Sequence, residues 1–361
     1  MNNENHVRQS VAVACPLYQD AHGVPVGMPV PKPPCPAEEI VPLRRFLEAN
    51  TVVSETIVFP RGTMTTDGRL DLCKQDIGSA GCEQIMDSLR RNTHVRSLLL
   101  GTDGIGDAGA RAVADLIGQR PQLQIAYLGC NGITENGAAV LAQAVSLNQT
   151  LSGLWLKRNP IGTAGAMQLA KMLQTNSHLR VLDLVNTQIG FSGLEALTKT
   201  LIAENSTLER LHLGGNQFEP PAAELLAKLL IHNRSLKSLL IDVNCLGDAG
   251  ALLLANALKQ NRTLQHFDMA SNGLTETGAT ALFEAVATHP AFLHLGLGFS
   301  PSTKVLGAVA NHLGDRGAAS AAKFLPQNGT LRSLDLTKTG IGVSGRQNIC
   351  EAMRSNSTLT S

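Results

Sequence analysis

A pattern of leucine, asparagine and glycine returns every 28 residues along most of this chain. In its clearest copy, Leu151, Leu154 and Leu156 precede Asn159, and Gly165 follows at a fixed offset. The middle leucine position falls at Leu70, Leu98, Ala126, Leu154, Leu182, Leu211, Leu239, Phe267, Leu295 and Leu334. Two steps depart from 28 residues, one of 29 before Leu211 and one of 39 before Leu334. A period of this length predicts a solenoid of about ten stacked repeats.

Each position of the repeat has a physical explanation. The leucines of L-x-x-L-x-L alternate along a short strand, so they enter the core while the residues between them face outward. A polar turn position follows, where a buried amide can pair backbone groups that the turn leaves unsatisfied. Asparagine fills this position at Asn131, Asn159, Asn216, Asn244 and Asn272, with Gln75, Asp103, Thr187 and Thr339 as substitutes.

A glycine then opens a predicted helix in each repeat. It stands at Gly81, Gly109, Gly137, Gly165, Gly193, Gly250, Gly278, Gly317 and Gly345, with Ala222 as the exception. We expect this glycine to permit close packing between neighbouring helices. Helix N-caps are expected at Asp107, Thr163, Asp248 and Asp315. Apolar residues four and eight positions after the glycine predict a stripe facing the core.

The frame L-x-x-L-x-L-x-x-N-x-I-G-x-x-G-A resembles leucine-rich repeats of the ribonuclease-inhibitor type over roughly residues 67 to 359. The resemblance implies an α/β solenoid with a parallel sheet on its concave face and α-helices on its convex face. It implies no single activity. The repeat subtype is similar to the sensor tails of NOD-like receptors, to Ran GTPase activators and to bacterial leucine-rich-repeat effectors.

Composition and charge favour a chain that binds neither nucleic acid nor membrane. The formal net charge is +1, and no apolar run reaches the length of a membrane span. The polar start lacks a signal-peptide core, so we expect a cytoplasmic protein, or one delivered into a host cell without a cleavable signal. The seven cysteines are odd in number and form no C-x-x-C pair, which favours free thiols.

Six Asn-x-Ser/Thr sequons all fall on one position of the repeat, where the helix connects to the next strand. They begin at Asn148, Asn205, Asn233, Asn261, Asn328 and Asn356. Because the spacing follows the repeat, we interpret these asparagines as structural rather than as glycosylation sites.

Three regions are expected along the chain. Residues 1–37 form a proline-rich leader that we expect to be extended or disordered, because its prolines exclude regular helix and central strand. Residues 38–66 form an N-terminal cap, with an amphipathic helix over 38–50 and a strand over 52–59. Residues 67–361 are the repeats, with an insertion near 300–310 that we expect to project from the rim as a loop or short helix.

Candidate binding residues come from the outward strand position between the last two leucines. It is occupied in turn by Asp71, Leu99, Tyr127, Trp155, Asp183, His212, Leu240, Asp268, Gly296 and Asp335. Adjacent strands lie about 4.8 Å apart, so Leu99, Tyr127 and Trp155 should form one exposed apolar patch. We expect Lys157 and Arg158 to lie beside it and Asp183, His212 and Asp268 to continue it as a polar rim. Alternatively, the aromatic residues are there because they favour strands.

The sequence therefore predicts a non-enzymatic module that recognises a protein partner on its concave sheet. Phosphate-binding, zinc-hydrolase and serine-nucleophile motifs are absent from it, and no cofactor or metal is expected. A GTPase-activating protein for a small GTPase and a bacterial effector delivered to a host cell stay open as alternatives.

Overall fold

A computed structural model of the chain describes residues 18–19, 25–26, 32–119 and 122–360. Most of the predicted leader lies outside the described residues. Within it, a short antiparallel hairpin pairs β1 (Tyr18–Gln19) with β2 (Pro25–Val26). The first helix, α1, spans Ala37–Ala49, and the strand expected over 52–59 is limited to β3 (Ile57–Val58), which pairs antiparallel with β4 (Thr63–Met64).

Strand and helix then alternate through the rest of the described chain. The strands are β5 (Arg69–Asp71), β6 (Ser97–Leu99), β7 (Ile125–Tyr127), β8 (Gly153–Trp155), β9 (Val181–Asp183), β10 (Arg210–His212), β11 (Ser238–Leu240), β12 (His266–Asp268), β13 (His294–Gly296) and β14 (Ser333–Asp335). The helices are α2 (Gly78–Leu89), α3 (Gly106–Gln119), α4 (Glu135–Leu147), α5 (Gly162–Thr175), α6 (Gly190–Ala203), α7 (Pro220–His232), α8 (Gly247–Leu258), α9 (Glu276–Val286), α10 (Thr303–Leu306), α11 (Gly314–Phe324) and α12 (Val343–Met353).

One open sheet holds β3 to β14 in sequence order. Strands β5 to β14 are parallel, and the register aligns the ten middle positions named from the sequence, from Leu70 to Leu334. The predicted solenoid of about ten repeats is therefore confirmed. Packed helices need about 8–10 Å each and strands only about 4.8 Å, so the sheet must line the inner, concave side of the curve.

Two asparagine positions connect neighbouring repeats. In the turn, Asn159 donates through Nδ2 to Leu128 O at 2.9 Å and Leu156 O at 2.8 Å, and its Oδ1 accepts from the backbone of Asn131 and Ile133. Asn159 is fully buried, so these bonds satisfy backbone groups that water cannot reach. The predicted role of the turn amide is confirmed.

The second asparagine position contains the sequons and is also structural. Asn205 donates to Leu173 O at 2.9 Å and Asn176 O at 3.1 Å, while its Oδ1 accepts from the backbone of Thr207 and Leu208. It is 5% exposed. An asparagine whose amide is used in this way closes one helix and ties it to the repeat before, as the sequence interpretation expected.

The expected helix caps are wrong in one respect. Asp248 lies inside α8, which begins at Gly247, and its carboxylate instead caps the helix of the following repeat. Its Oδ1 accepts from Thr275 N at 2.9 Å and Gly278 N at 3.0 Å, and its Oδ2 accepts from the Thr275 hydroxyl at 2.6 Å. Asp107 and Asp315 make the corresponding bonds, whereas the Thr163 hydroxyl donates to Ile189 O. Each aspartate stabilises a neighbour's orphan N–H groups and positive helix end.

The helix glycine has the predicted role. A Cβ on Gly193 would lie 2.8 Å from Ala166 Cβ of the preceding helix, and one on Gly278 would lie 3.0 Å from Ala251 Cβ. None of the helices in the described ranges has both the length and the apolar character needed to cross a bilayer.

We predict that Asn159→Ala lowers the free energy of unfolding by about 3 kcal/mol, because it leaves several buried backbone groups unpaired. Urea titration followed by circular dichroism measures the loss. Asn136→Ala removes an exposed amide on α4 and is the matched control. Equal stability of the two variants would contradict the role given to the turn amide.

Candidate interaction surface

The sheet register brings the predicted binding positions together on the helix-free face. Leu99 pairs with Tyr127, Tyr127 with Trp155, Trp155 with Asp183, and Asp183 with His212. Asp268 lies two strands further on, beyond Leu240. The adjacency expected from the sequence is therefore present, with an apolar half on β6 to β8 and a charged half from β9 onward.

The apolar half forms a second hydrophobic core, separate from the one between sheet and helices. It consists of Leu99, Ile125, Tyr127, Trp155 and Val181, and we call it the concave cluster. The expectation of an exposed patch is wrong, because Leu99 is 0%, Tyr127 1% and Trp155 2% exposed. Ile125 and Val181 were not identified from the sequence, although each directly precedes a middle strand position.

Bare glycine backbone lets the two aromatic rings lie against the sheet. A Cβ on Gly153 would overlap the ring of Trp155, and one on Gly101 would overlap the ring of Tyr127. Lys157 covers Gly129, with its Nζ 5.5 Å from the centroid of the Tyr127 ring, a cation–π distance. The glycines of these strands and turns are the sequence signal for this packing.

The indole N–H of Trp155 is buried without an acceptor among the described residues. A buried donor left in this state costs about 1–3 kcal/mol, and most buried donors in proteins are paired. An acceptor supplied by a bound chain, such as a backbone carbonyl, would remove this cost.

The insertion folds back over earlier repeats, so the expectation that it projects from the rim is wrong. It does contain the expected short helix, α10. The Arg158 side chain, 8% exposed, donates from Nη2 to Ser302 Oγ at 3.4 Å, and Leu306 packs over the bare backbone of Gly215. Thr303 Oγ1 lies 2.7 Å from Ser271 Oγ. The insertion therefore reaches from β13 towards the turn after β8.

The charged half contains one more aspartate, Asp242, than the sequence analysis identified. Asp183 and His212 are buried, with Asp183 Oδ2 3.5 Å from His212 Nδ1. Burial raises the pKa of Asp242 to about 6, against the lowering effects of His212 and of a hydrogen bond from Ser300. Burial, with repulsion from Asp242 and Asp335, raises the pKa of Asp268 to about 7. The outward strand position of this repeat is Leu240, and Asp242 lies two residues after it, so the strand pattern did not identify this aspartate.

Within the described ranges, no three His, Cys, Asp or Glu side chains are grouped so as to hold a metal ion. Cys73, at the edge of the concave cluster, and Cys82, in the main core, are free thiols, and burial raises the pKa of each. The surface thus offers apolar contact, charge and hydrogen bonding.

Comparison with solved structures finds similar chains at low sequence identity. The chain is similar to the Rad7 and Elc1 complex in yeast, with 14% identity, a TM-score of 0.48, and 90% of this chain and 82% of that chain covered. It is similar to leiomodin-1 actin-binding site 2, with 16% identity and a TM-score of 0.34, and 54% of this chain and 88% of that chain are covered. It is also similar to the tropomodulin C-terminal domain of Caenorhabditis elegans, with 12% identity and a TM-score of 0.35, and 54% of this chain and 92% of that chain are covered. No curated protein matches the chain.

A family model described as leucine-rich repeat matches residues 175–197, 204–227, 232–255, 260–283 and 327–350. Together with the register of the sheet, these matches show that the chain contains leucine-rich repeats and folds as a leucine-rich-repeat solenoid. Solenoids of this kind generally use their extended concave surfaces for binding other proteins.

We predict that Asp268→Asn raises the free energy of unfolding at pH 8 by about 1–2 kcal/mol, after discounting for the partial exposure of the side chain. The folded pKa of about 7 exceeds the unfolded value of about 3.9, so the native chain loses stability as the pH rises between them. The gain should vanish near pH 4. Urea titrations at both pH values test this, with exposed Asp115→Asn as control, and an equal gain at both would contradict it.

Proposed function

We propose that this protein is a non-enzymatic interaction module whose concave face binds an extended segment of a partner protein. The observation that carries the proposal is the concave cluster. Apolar side chains on the helix-free face of a leucine-rich-repeat sheet add nothing to the core between sheet and helices. The 28-residue frame supports the ribonuclease-inhibitor subtype.

Trp155 and Tyr127 are the proposed anchors. Tryptophan and tyrosine dominate the energetics of protein interfaces. The single tryptophan of this chain and one of its two tyrosines are adjacent on this face. The unpaired Trp155 N–H favours a ligand that offers a carbonyl or carboxylate acceptor. Lys157 and Arg158 beside the cluster favour the same kind of group.

The charged half suits the other part of the same ligand. Asp183, Asp242 and Asp268 lie on neighbouring repeats, and mutual repulsion contributes to the raised pKa values of Asp242 and Asp268. A lysine or arginine from the partner would relieve that repulsion. We therefore expect a partner segment with an apolar residue over β7 and β8 and a basic residue over β10 to β12. No feature of the described residues favours the GTPase-activating or effector alternatives.

We predict that the double variant Trp155→Ala/Tyr127→Ala loses at least about thirtyfold in partner affinity, equivalent to about 2 kcal/mol. Trp155→Phe keeps an aromatic ring but removes the N–H, and should cost about tenfold. Affinity capture from native lysate, followed by titration of the captured partner, gives these values.

The matched control is Phe191→Ala, which removes a half-exposed aromatic ring on the convex helix α6. It should keep full affinity. Circular dichroism spectra establish that all variants are folded. Retention of the partner by a folded double variant would remove the concave cluster from the binding site.

A further inference from the structure

Two segments far apart in the sequence meet beside the concave face. Strand β2 of the N-terminal hairpin lies against helix α10 of the insertion. They are separated by more than 270 residues, from Val26 to Thr303. The repeat frame requires neither segment, since one precedes it and the other interrupts it.

Helix α10 is held over the middle repeats by contacts on both sides. Leu306 packs over Gly215, after β10, and Ser302, just before the helix, accepts from Arg158, after β8. Ser271, after β12, bonds both the backbone of Ser300 and the hydroxyl of Thr303. The hairpin is therefore attached to a fixed element at the concave edge of the sheet.

The other described end of the leader is held at the first repeat. Cys35 N donates to Asp76 O at 2.6 Å, Lys32 Nζ lies 3.9 Å from Asp76 Oδ1, and Pro34 contacts Gly78. Six residue steps separate Val26 from Lys32 and can span at most about 20 Å. Because neighbouring strands are about 4.8 Å apart, a span of about 20 Å corresponds to the width of about four repeats. The hairpin is thus tethered within reach of β6 to β9, which hold the concave cluster.

We propose that the N-terminal hairpin is an intramolecular ligand of the concave face and competes there with the partner. The inference rests on the proposed function, because it takes the partner's site to be the concave face. It accounts for the near-complete burial of Trp155 and Tyr127 on the face of the sheet opposite the repeat helices. Residues 1–31 also suit the surface chemically, since they are rich in valine and proline and contain only two carboxylates, Glu4 and Asp20.

The single tryptophan of the chain reports directly on this contact. Removal of residues 1–31 should shift the emission of Trp155 to longer wavelength and raise its quenching by acrylamide to that of an exposed indole. Removal of residues 1–17, which keeps both hairpin strands, should leave both readouts as in the full chain. The hydrophobic core begins at Ile40, so both truncations retain it.

A synthetic peptide of residues 1–31, added to the shorter protein at about millimolar concentration, matches the effective concentration of a tethered segment. It should restore the original emission, and a scrambled peptide should not. In the full chain, Leu306→Asp should increase quenching, because it removes the contact of α10 with Gly215. This variant tests the proposal even if the truncated protein does not fold.

Unchanged Trp155 emission and quenching in the folded protein lacking residues 1–31, or in Leu306→Asp, would overturn the proposal. An equal change on removing residues 1–17 would also overturn it, since the hairpin is still present there. These readouts need no external partner, so their failure is distinct from failure of the proposed function, which is judged by partner affinity alone.

Discussion

The hydrogen bonds of buried asparagine amides hold this solenoid together between repeats. Stacking short strands leaves backbone groups at both strand ends without partners, and burial removes the water that could otherwise satisfy them. In most repeats an asparagine in the turn or at the helix end pairs these groups, and Asn159 and Asn205 each bond the repeat before their own. The leucine core supplies the driving force, and the amides fix the register in which the repeats stack.

The sequence predicted the repeat architecture because each position of the repeat meets a structural need within that repeat or against its direct neighbour. The middle strand residues, the turn amides and the helix glycines all lie where their spacing placed them. Spacing could not show whether a side chain would form hydrogen bonds within its own repeat or with the neighbouring one. Asp248 occupies a position typical of an N-cap, yet its carboxylate bonds the next helix, because the repeats are stacked so closely that the neighbouring helix start is within reach.

The candidate site was less accessible to sequence reasoning. Alternation along strands correctly placed Leu99, Tyr127 and Trp155 side by side. The two aromatic rings lie against bare glycine backbone at Gly101 and Gly153, and the repeat period alone does not show that these glycines make room for a ring. The path of the insertion depends on Gly215 and Ser271 in other repeats, so the length of the insertion alone did not reveal it.

The aspartate caps give the solenoid a direction. Asp107, Asp248 and Asp315 each bond the helix start of the repeat that follows and not the repeat that precedes. A chain emerging from the ribosome therefore places each acceptor before the N–H groups that need it. The helix that follows each of these aspartates thus finds part of its cap already present in the repeat before it, so loss of the aspartate affects the following helix and not its own.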